Sequence, residues 1–129
     1  MVAWWCVPKS ILLLDDSEIV RAAAAHRLER AGYAVTTVSS IDELEEKGNP
    51  QSADLILLDV EVQQLFGDDV GMVLRKVRGI TRPIWLYSSK PSAELAERVA
   101  DAGLDGFISK SDGLDVLVER VQQILGDPD

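Results

Sequence analysis

The sequence contains a single cysteine, Cys6, among its 129 residues. An intrachain disulfide is therefore excluded, and such a chain suits a reducing compartment, so we expect a cytoplasmic protein. No apolar run approaches the roughly 20 residues that a membrane-spanning helix needs, and the opening residues 1–8 lack the basic start of a signal peptide. We therefore expect no contact with a membrane.

Basic residues are few relative to acidic ones. Thirteen lysines and arginines against 22 aspartates and glutamates give a net charge of −9 at pH 7. Nucleic-acid phosphates repel an acidic chain at long range, so direct DNA or RNA binding is not expected. Hydrophobic residues make up 47% of the chain, which is typical of a globular protein. We predict one domain over residues 10–126, between an apolar extension (1–9) and a tail (127–129).

Two apolar runs of the sequence each end in aspartate. Leu55-Ile56-Leu57-Leu58 precedes Asp59, and Ile11-Leu12-Leu13-Leu14 precedes Asp15 and Asp16. Consecutive aliphatic residues are typical of parallel strands that are covered on both faces. Carboxylates at the carboxyl ends of such strands lie in the crevice where open α/β sheets bind ligands. If the strands are neighbours, a bound cation or a buried lysine must compensate the clustered charge.

The remaining chain alternates between strand and helix patterns. We predict strands over 9–14, 33–38, 55–59, 84–87 and 106–109 and helices over 19–31, 71–78, 92–102 and 114–125. A further short helix, capped by Ser39 or Ser40, is predicted to run through Leu44 to Lys47. The inward helix positions include Ile19, Val73 and Val77, and Ser92 is expected to cap the fourth helix. Such alternation requires right-handed crossovers. It predicts an α/β fold, a doubly wound, five-stranded parallel sheet with helices on both faces.

Polar residues recur at the carboxyl ends of the predicted strands. They are Asp15, Asp16, Asp59, Ser88 and Lys110. Three carboxylates supply the hard oxygen ligands that Mg²⁺ takes, while a lysine and a hydroxyl can hold a tetrahedral anion. An aspartate among them is a candidate nucleophile toward phosphorus. Any one of these residues is more simply explained as a helix cap, a turn residue or a solvated charge, but five at one sheet edge favour a functional site.

Together with Phe107, these residues stand at the spacings of a known family. Over about residues 10–125 the sequence resembles the receiver domain of two-component response regulators, of the single-domain, chemotaxis-regulator type. The resemblance implies a flavodoxin-like (βα)5 fold and a signalling protein rather than an enzyme. Asp59 is then the phosphoacceptor of a phosphorelay. Mg²⁺ is then bound by Asp59, by Asp16 directly, by Asp15 through water and by the Glu61 backbone carbonyl.

The resemblance also implies roles in switching. Ser88 and Lys110 contact the phosphoryl group, and Phe107 is the switch aromatic that turns inward as the Ser88 hydroxyl moves. Glu61 and Lys90 stand two residues beyond the phosphoacceptor and the switch serine, at positions that tune loss of the phosphoryl group. We hypothesise that they pair over the site and slow the attack of water.

The partners implied by the resemblance are a histidine kinase or phosphotransfer protein as donor and a downstream protein target. The switching surface is formed by the fourth helix, the last strand and the last helix. A homodimer is a further possibility, with Trp4, Trp5 and the last helix as candidate surfaces. The two tryptophans are otherwise explained by packing against the body.

Two alternative functions stay open. A receiver-like scaffold that binds proteins without phosphorylation is favoured by a long loop expected over 60–69 and by Ser111, where the family has proline. The complete set of charged site residues counts against it. A phosphatase of the haloacid-dehalogenase type also uses an aspartate nucleophile, but it needs a second aspartate where Glu61 stands.

Overall fold

A computed structural model of the chain describes residues 7–62 and 65–127. The strands are β1 (Ser10–Leu14), β2 (Ala34–Val38), β3 (Leu55–Leu58), β4 (Glu61–Val62), β5 (Leu65–Phe66), β6 (Ile84–Ser88) and β7 (Gly106–Ser109). The helices are α1 (Glu18–Arg30), α2 (Ile41–Glu43), α3 (Gly67–Lys76), α4 (Ser92–Ala102) and α5 (Leu114–Leu125). Five strands form one parallel sheet in the order β2-β1-β3-β6-β7. The predicted α/β architecture is confirmed.

The apolar runs of β1 and β3 are buried because the sheet has a hydrophobic cluster on each face. Alternate residues such as Leu14 and Leu58 pack with residues of α3 and α4, whereas Leu13 and Leu57 pack with residues of α1 and α5. All four residues are fully buried. Side chains alternate across a strand, so a run without polar residues is what a strand covered on both faces requires.

The strand register brings the two carboxylate-bearing strand ends together. Leu14 pairs with Leu58 in the parallel ladder, and the Asp59 N–H donates to the Leu14 carbonyl at 2.9 Å. The Asp15 N–H donates to the Val38 carbonyl at 3.1 Å. The ladder thus continues one residue beyond the strands, which fixes the backbone at both aspartates.

The segment after Asp59 differs from the prediction. Residues 60–69 were expected to form a loop before a helix at Gly71. Instead β4 and β5 form an antiparallel ribbon, and α3 already begins at Gly67. The Gly67 N–H donates to the Val60 carbonyl at 2.7 Å, which closes the base of the ribbon. The early start places Asp68 and Asp69 in the first helical turn, where the helix dipole favours acidic side chains.

Three positions predicted to face inward are exposed. Ile19 is 82% exposed, because at 3.6 residues per turn it lies roughly opposite the buried Leu28 on α1. Val73 is 45% and Val77 75% exposed, since α3 buries Leu74 and ends at Lys76.

Smaller differences concern element boundaries. The short helix expected to run to Lys47 is α2, which Ser40 caps, followed by one wide helical turn over Leu44–Gly48. Pro91, not Ser92, precedes the first residue of α4. Trp4 and Trp5 lie outside the described residues. Among the helices of 7–62 and 65–127, none has both the length and the apolar character needed to cross a bilayer.

Candidate functional site

Three carboxylates converge at the carboxyl ends of β1 and β3. One oxygen each of Asp15, Asp16 and Asp59 lies within 4.8 Å of the others. Asp15 is fully buried, Asp59 exposes 14% of its side chain, and Asp16 is exposed. Three close carboxylate oxygens beside open space match the hard, oxygen-rich ligand set of Mg²⁺. The residues present therefore fit a divalent cation.

Lys110 lies between two of these carboxylates. It follows β7 in a short helical turn, Lys110–Asp112. Its Nζ is 2.6 Å from Asp15 Oδ2 and 3.4 Å from Asp59 Oδ1. The ammonium also lies 5.4 Å from the ring centroid of Tyr87, which is buried beneath it. The lysine thus supplies part of the positive charge that the sequence predicted for this cluster.

Burial raises the pKa of Asp59 to about 6. The ammonium of Lys110 opposes this shift, whereas the charges of Asp15 and Asp16 add to it. The charge of Asp59 is thus held unfavourably by its surroundings. Binding of a cation at Asp59, or transfer of a group to it, is therefore favoured where it relieves this repulsion.

This raised pKa predicts a pH dependence of stability. The pKa of Asp59 is about 6 in the folded protein against an ordinary value of 3.8. Between these values the folded state holds a proton that the unfolded chain has released, so stability falls as pH rises through this window. Asp59→Asn is therefore expected to be more stable than the unsubstituted protein by about 1–3 kcal/mol at pH 8, in urea unfolding with EDTA.

The same comparison at low pH is the control. Near pH 3.5 both states of Asp59 are largely protonated, so the two proteins should unfold at similar urea concentrations. An advantage of Asp59→Asn that is equally large at pH 3.5 and pH 8 would contradict this electrostatic origin.

A polar cavity of about 280 Å³ opens over the cluster. Its lining residues are Asp16, Asp59, Glu61, Ser88, Ser89, Lys90 and Lys110. Ser88 is buried at the end of β6, and its Oγ accepts a hydrogen bond from the Lys90 N–H at 3.2 Å. Predicted site residues at the carboxyl ends of four strands therefore line one space, which is large enough for a tetrahedral anion, whereas Asp15 lies outside this lining.

An ion pair closes one side of this cavity. Lys90 Nζ lies 2.8 Å from Glu61 Oε1 and 3.9 Å from Glu94 Oε2. Hydrogen bonding to Lys90 lowers the pKa of Glu61, and the same contact raises the pKa of Lys90. The ion pair hypothesised from the sequence therefore exists in the structure.

Phe107 lies on β7 away from the cavity lining. It is half-buried and packs against the hydrophobic cluster that β1 and β3 share with α3 and α4. It pairs with Leu86 in the ladder, which places it two residues before the strand-end level of Ser88.

Sequence reasoning missed Arg98 and Asp68. Their side chains pair at 3.0 Å between α4 and α3. The spacing of Lys90, Glu94 and Arg98 at every fourth residue was the available signal, because such residues share one helix face. Nothing local in the sequence indicated that this face meets the ribbon.

The chain matches a family model and several curated proteins. The model described as "Response regulator receiver domain" matches residues 11–122. The chain is 32% identical over 117 residues to the alkaline phosphatase synthesis transcriptional regulatory protein PhoP of Bacillus subtilis, covering 91% of this chain and 48% of PhoP. It is 31% identical over 116 residues to the gliding motility regulatory protein of Myxococcus xanthus, covering 88% of this chain and 15% of that protein. The chain spans less than half the length of these relatives.

Solved structures share the fold over most of the chain. The Vibrio cholerae chemotaxis protein CheY4 has a TM-score of 0.82 and 25% identity, covering 92% of this chain and 100% of CheY4. A CheY-like receiver domain protein from Methanospirillum hungatei has a TM-score of 0.77 and 23% identity, covering 91% of this chain and 93% of that protein. The second similarity is one of fold alone.

Proposed function

The chain belongs to the receiver-domain family of two-component response regulators, and from this premise we propose that Asp59 takes a phosphoryl group in a Mg²⁺-dependent reaction. The observation that carries the proposal is the convergence of three carboxylates and Lys110 at one sheet edge. Asp59 is the carboxylate that lies both beside this lysine and in the lining of the cavity. It is therefore the member placed to react with an incoming phosphoryl donor.

Asp59 acts as the nucleophile. A carboxylate oxygen forms a bond to phosphorus while the bond from phosphorus to the donor's leaving group breaks, and the leaving group keeps the electron pair. The product is an aspartyl phosphate. With a pKa of about 6, Asp59 is mostly ionised at pH 7 to 8 and is ready to attack.

The neighbouring residues hold the cation and the transferred group. Asp15, Asp16 and Asp59 would bind Mg²⁺ together with the Glu61 backbone carbonyl, and the ion would offset the negative charge of the phosphoryl group. Lys110 is placed to exchange part of its contact with Asp59 for a phosphoryl oxygen. The Ser88 hydroxyl is placed in the same cavity to donate a further hydrogen bond.

Phosphorylation would act on a protein-binding surface. An added phosphoryl group that draws Ser88 toward it would leave space into which Phe107 turns, and both residues lie on strands next to α4 and α5. We propose that this surface binds a downstream protein target and that a histidine kinase or phosphotransfer protein is the donor. Receiver domains are signalling modules rather than enzymes as a rule, and this role agrees with that of the family.

The direct test is intact-mass spectrometry after incubation with acetyl phosphate. We expect one added phosphoryl group per chain in the presence of Mg²⁺ and at least a tenfold slower uptake when EDTA removes the metal, because the carboxylates then face the incoming anion without the cation. A folded protein that binds Mg²⁺ but takes up no phosphoryl group would contradict the proposal and favour the phosphorylation-independent scaffold.

The ion pair over the cavity predicts the lifetime of the phosphorylated state. The double variant Glu61→Ala, Lys90→Ala is expected to lose its phosphoryl group several times faster than the unsubstituted protein, because the pair limits the approach of water to Asp59. Phosphorylated protein freed of donor is followed by intact mass over time.

A matched control removes an ion pair elsewhere. Glu45 pairs with Arg78 between the turn after α2 and the end of α3. Glu45→Ala should leave the dephosphorylation rate unchanged. If the double variant also keeps the original rate, the pair does not screen the site.

A further inference from the structure

Arg98 makes three contacts, and two of them reach from α4 to the segment after Asp59. Its guanidinium lies 3.0 Å from Asp68 Oδ1, 3.1 Å from Glu94 Oε2 and 5.0 Å from the centroid of the Phe66 ring. Only 25% of the Arg98 side chain and 14% of the Asp68 side chain are exposed. Ion pairs that are largely shielded from water hold their geometry more firmly than fully exposed ones.

Phe66 and Asp68 are the two neighbours of Gly67. Gly67 lies so close to Asp59 that a Cβ atom built on it would be 1.8 Å from the Asp59 carbonyl oxygen. The Gly67 N–H also donates to the Val60 carbonyl. Arg98 therefore holds both residues that flank the one in direct contact with the Asp59 backbone.

Lys90, two residues before the start of α4, holds the other end of this segment. Glu94 contacts both Lys90 and Arg98, and Lys90 pairs with Glu61 at 2.8 Å. Lys90, Glu94 and Arg98 recur at every fourth residue, so one charged stripe holds Glu61 at one end and Asp68 at the other. The backbone between them includes the ribbon and its closure onto Asp59.

We propose that Arg98 is a positioning residue for Asp59, acting through Phe66 and Asp68 to keep Gly67 against the Asp59 carbonyl. This inference rests on the proposed function, since its consequence is the alignment of Asp59 and Glu61 with the other carboxylates. Without the guanidinium, the described residues 65–68 can move away from the end of β3. Misplacement of a reacting group by about 1 Å is enough to slow a reaction strongly.

The test compares Arg98→Met with Arg98→Lys. Methionine keeps much of the aliphatic length but loses the charge and the hydrogen bonds, whereas lysine keeps the charge without the planar fork. We expect Arg98→Met to weaken Mg²⁺ binding about three- to tenfold in calorimetry and to slow phosphoryl uptake from acetyl phosphate by a similar factor. Arg98→Lys should recover part of both losses.

The matched control is Arg120→Met. Arg120 lies 5.3 Å from the centroid of the Trp85 ring and belongs to α5, which packs on the other face of the sheet. This variant also removes an arginine stacked on an aromatic ring, and we expect it to leave Mg²⁺ affinity and phosphoryl uptake unchanged. A loss equal to that of Arg98→Met would overturn the inference, because the effect would then not depend on the ribbon.

A second substitution tests the route through Asp68. Asp68→Asn should reproduce the loss of Mg²⁺ affinity, and combining it with Arg98→Met should add little, since both remove the same contact. If Arg98→Met only lowers the urea midpoint while Mg²⁺ affinity and uptake stay at their original values, Arg98 is merely structural and the inference fails. Failure of phosphoryl uptake in the unsubstituted protein would refute the proposed function instead, and the Mg²⁺ titration would still decide the role of Arg98.

Discussion

Asp59→Asn is expected to abolish phosphoryl uptake from acetyl phosphate, with no modified protein detectable by intact mass. The amide is close in size to the carboxylate but is not a nucleophile toward phosphorus. The substitution also removes a charge that burial holds unfavourably. The variant should therefore fold at least as well as the unsubstituted protein above pH 7, so that loss of reaction cannot be attributed to unfolding.

The control for this substitution lies at the opposite end of the same strand. Asp54 precedes β3, and its carboxylate accepts a hydrogen bond from the Ser10 N–H at 2.8 Å. Asp54→Asn makes the same chemical change at the amino end of β3 and should leave the rate of phosphoryl uptake unchanged. Modification of Asp59→Asn at the original rate would show that another residue accepts the group.

Gly67→Ala is expected to have the largest effect among substitutions outside the acidic cluster. The new methyl group would overlap the Asp59 carbonyl oxygen, so either the ribbon or the end of β3 must move. Overpacking of this kind destabilises by about 1–3 kcal/mol or more. Because the displaced atom belongs to the phosphoacceptor itself, Mg²⁺ affinity and phosphoryl uptake should fall together with the urea midpoint.

Gly48→Ala is the matched glycine substitution. The atoms nearest to a Cβ at Gly48 would be methyl groups of Leu12 and Leu44, at 3.3–3.4 Å, and these flexible side chains can shift slightly. It should change phosphoryl uptake little. If Gly67→Ala binds Mg²⁺ and reacts as well as Gly48→Ala, then the contact between the ribbon base and the Asp59 backbone does not set the geometry of the site.

The sequence predicted the central sheet because strands buried on both faces show an uninterrupted apolar run. The runs before Asp15 and Asp59 have no polar residue, and only a strand covered on both faces tolerates that. Since the carboxyl ends of parallel strands meet at one edge, the same pattern also predicted which charged residues would gather. The structure adds that Lys110, which follows the edge strand β7, reaches past the ends of β6 and β3 to Asp15.

The ribbon and the exposed valines could not be predicted in the same way. A two-residue strand is too short to show a periodic pattern, so the sequence at 61–66 predicted a loop. Val73 and Val77 were predicted to face inward because they share one face of a helix that was expected to begin at Gly71. The true beginning at Gly67 depends on a close approach to Asp59, which is a contact of the folded state rather than a local preference.

Side-chain contacts between separate helices and strands were the other feature that the sequence did not fully predict. The pairing of Glu61 with Lys90 was hypothesised from the resemblance, whereas the pairing of Arg98 with Asp68 was not, because no spacing rule connects α4 to the start of α3. A cation on a helix face is usually solvated. Only the fold shows that this one meets a shielded carboxylate.

The most direct measurement is to locate the phosphoryl group on the chain. Protein phosphorylated by acetyl phosphate with Mg²⁺ is treated with borohydride, which reduces the acyl phosphate to an alcohol, and is then mapped by peptide mass spectrometry. We expect the change at Asp59 and at neither Asp15 nor Asp16. A label on either of those residues, or spread over several surface carboxylates, would contradict the assignment of Asp59 as the phosphoacceptor.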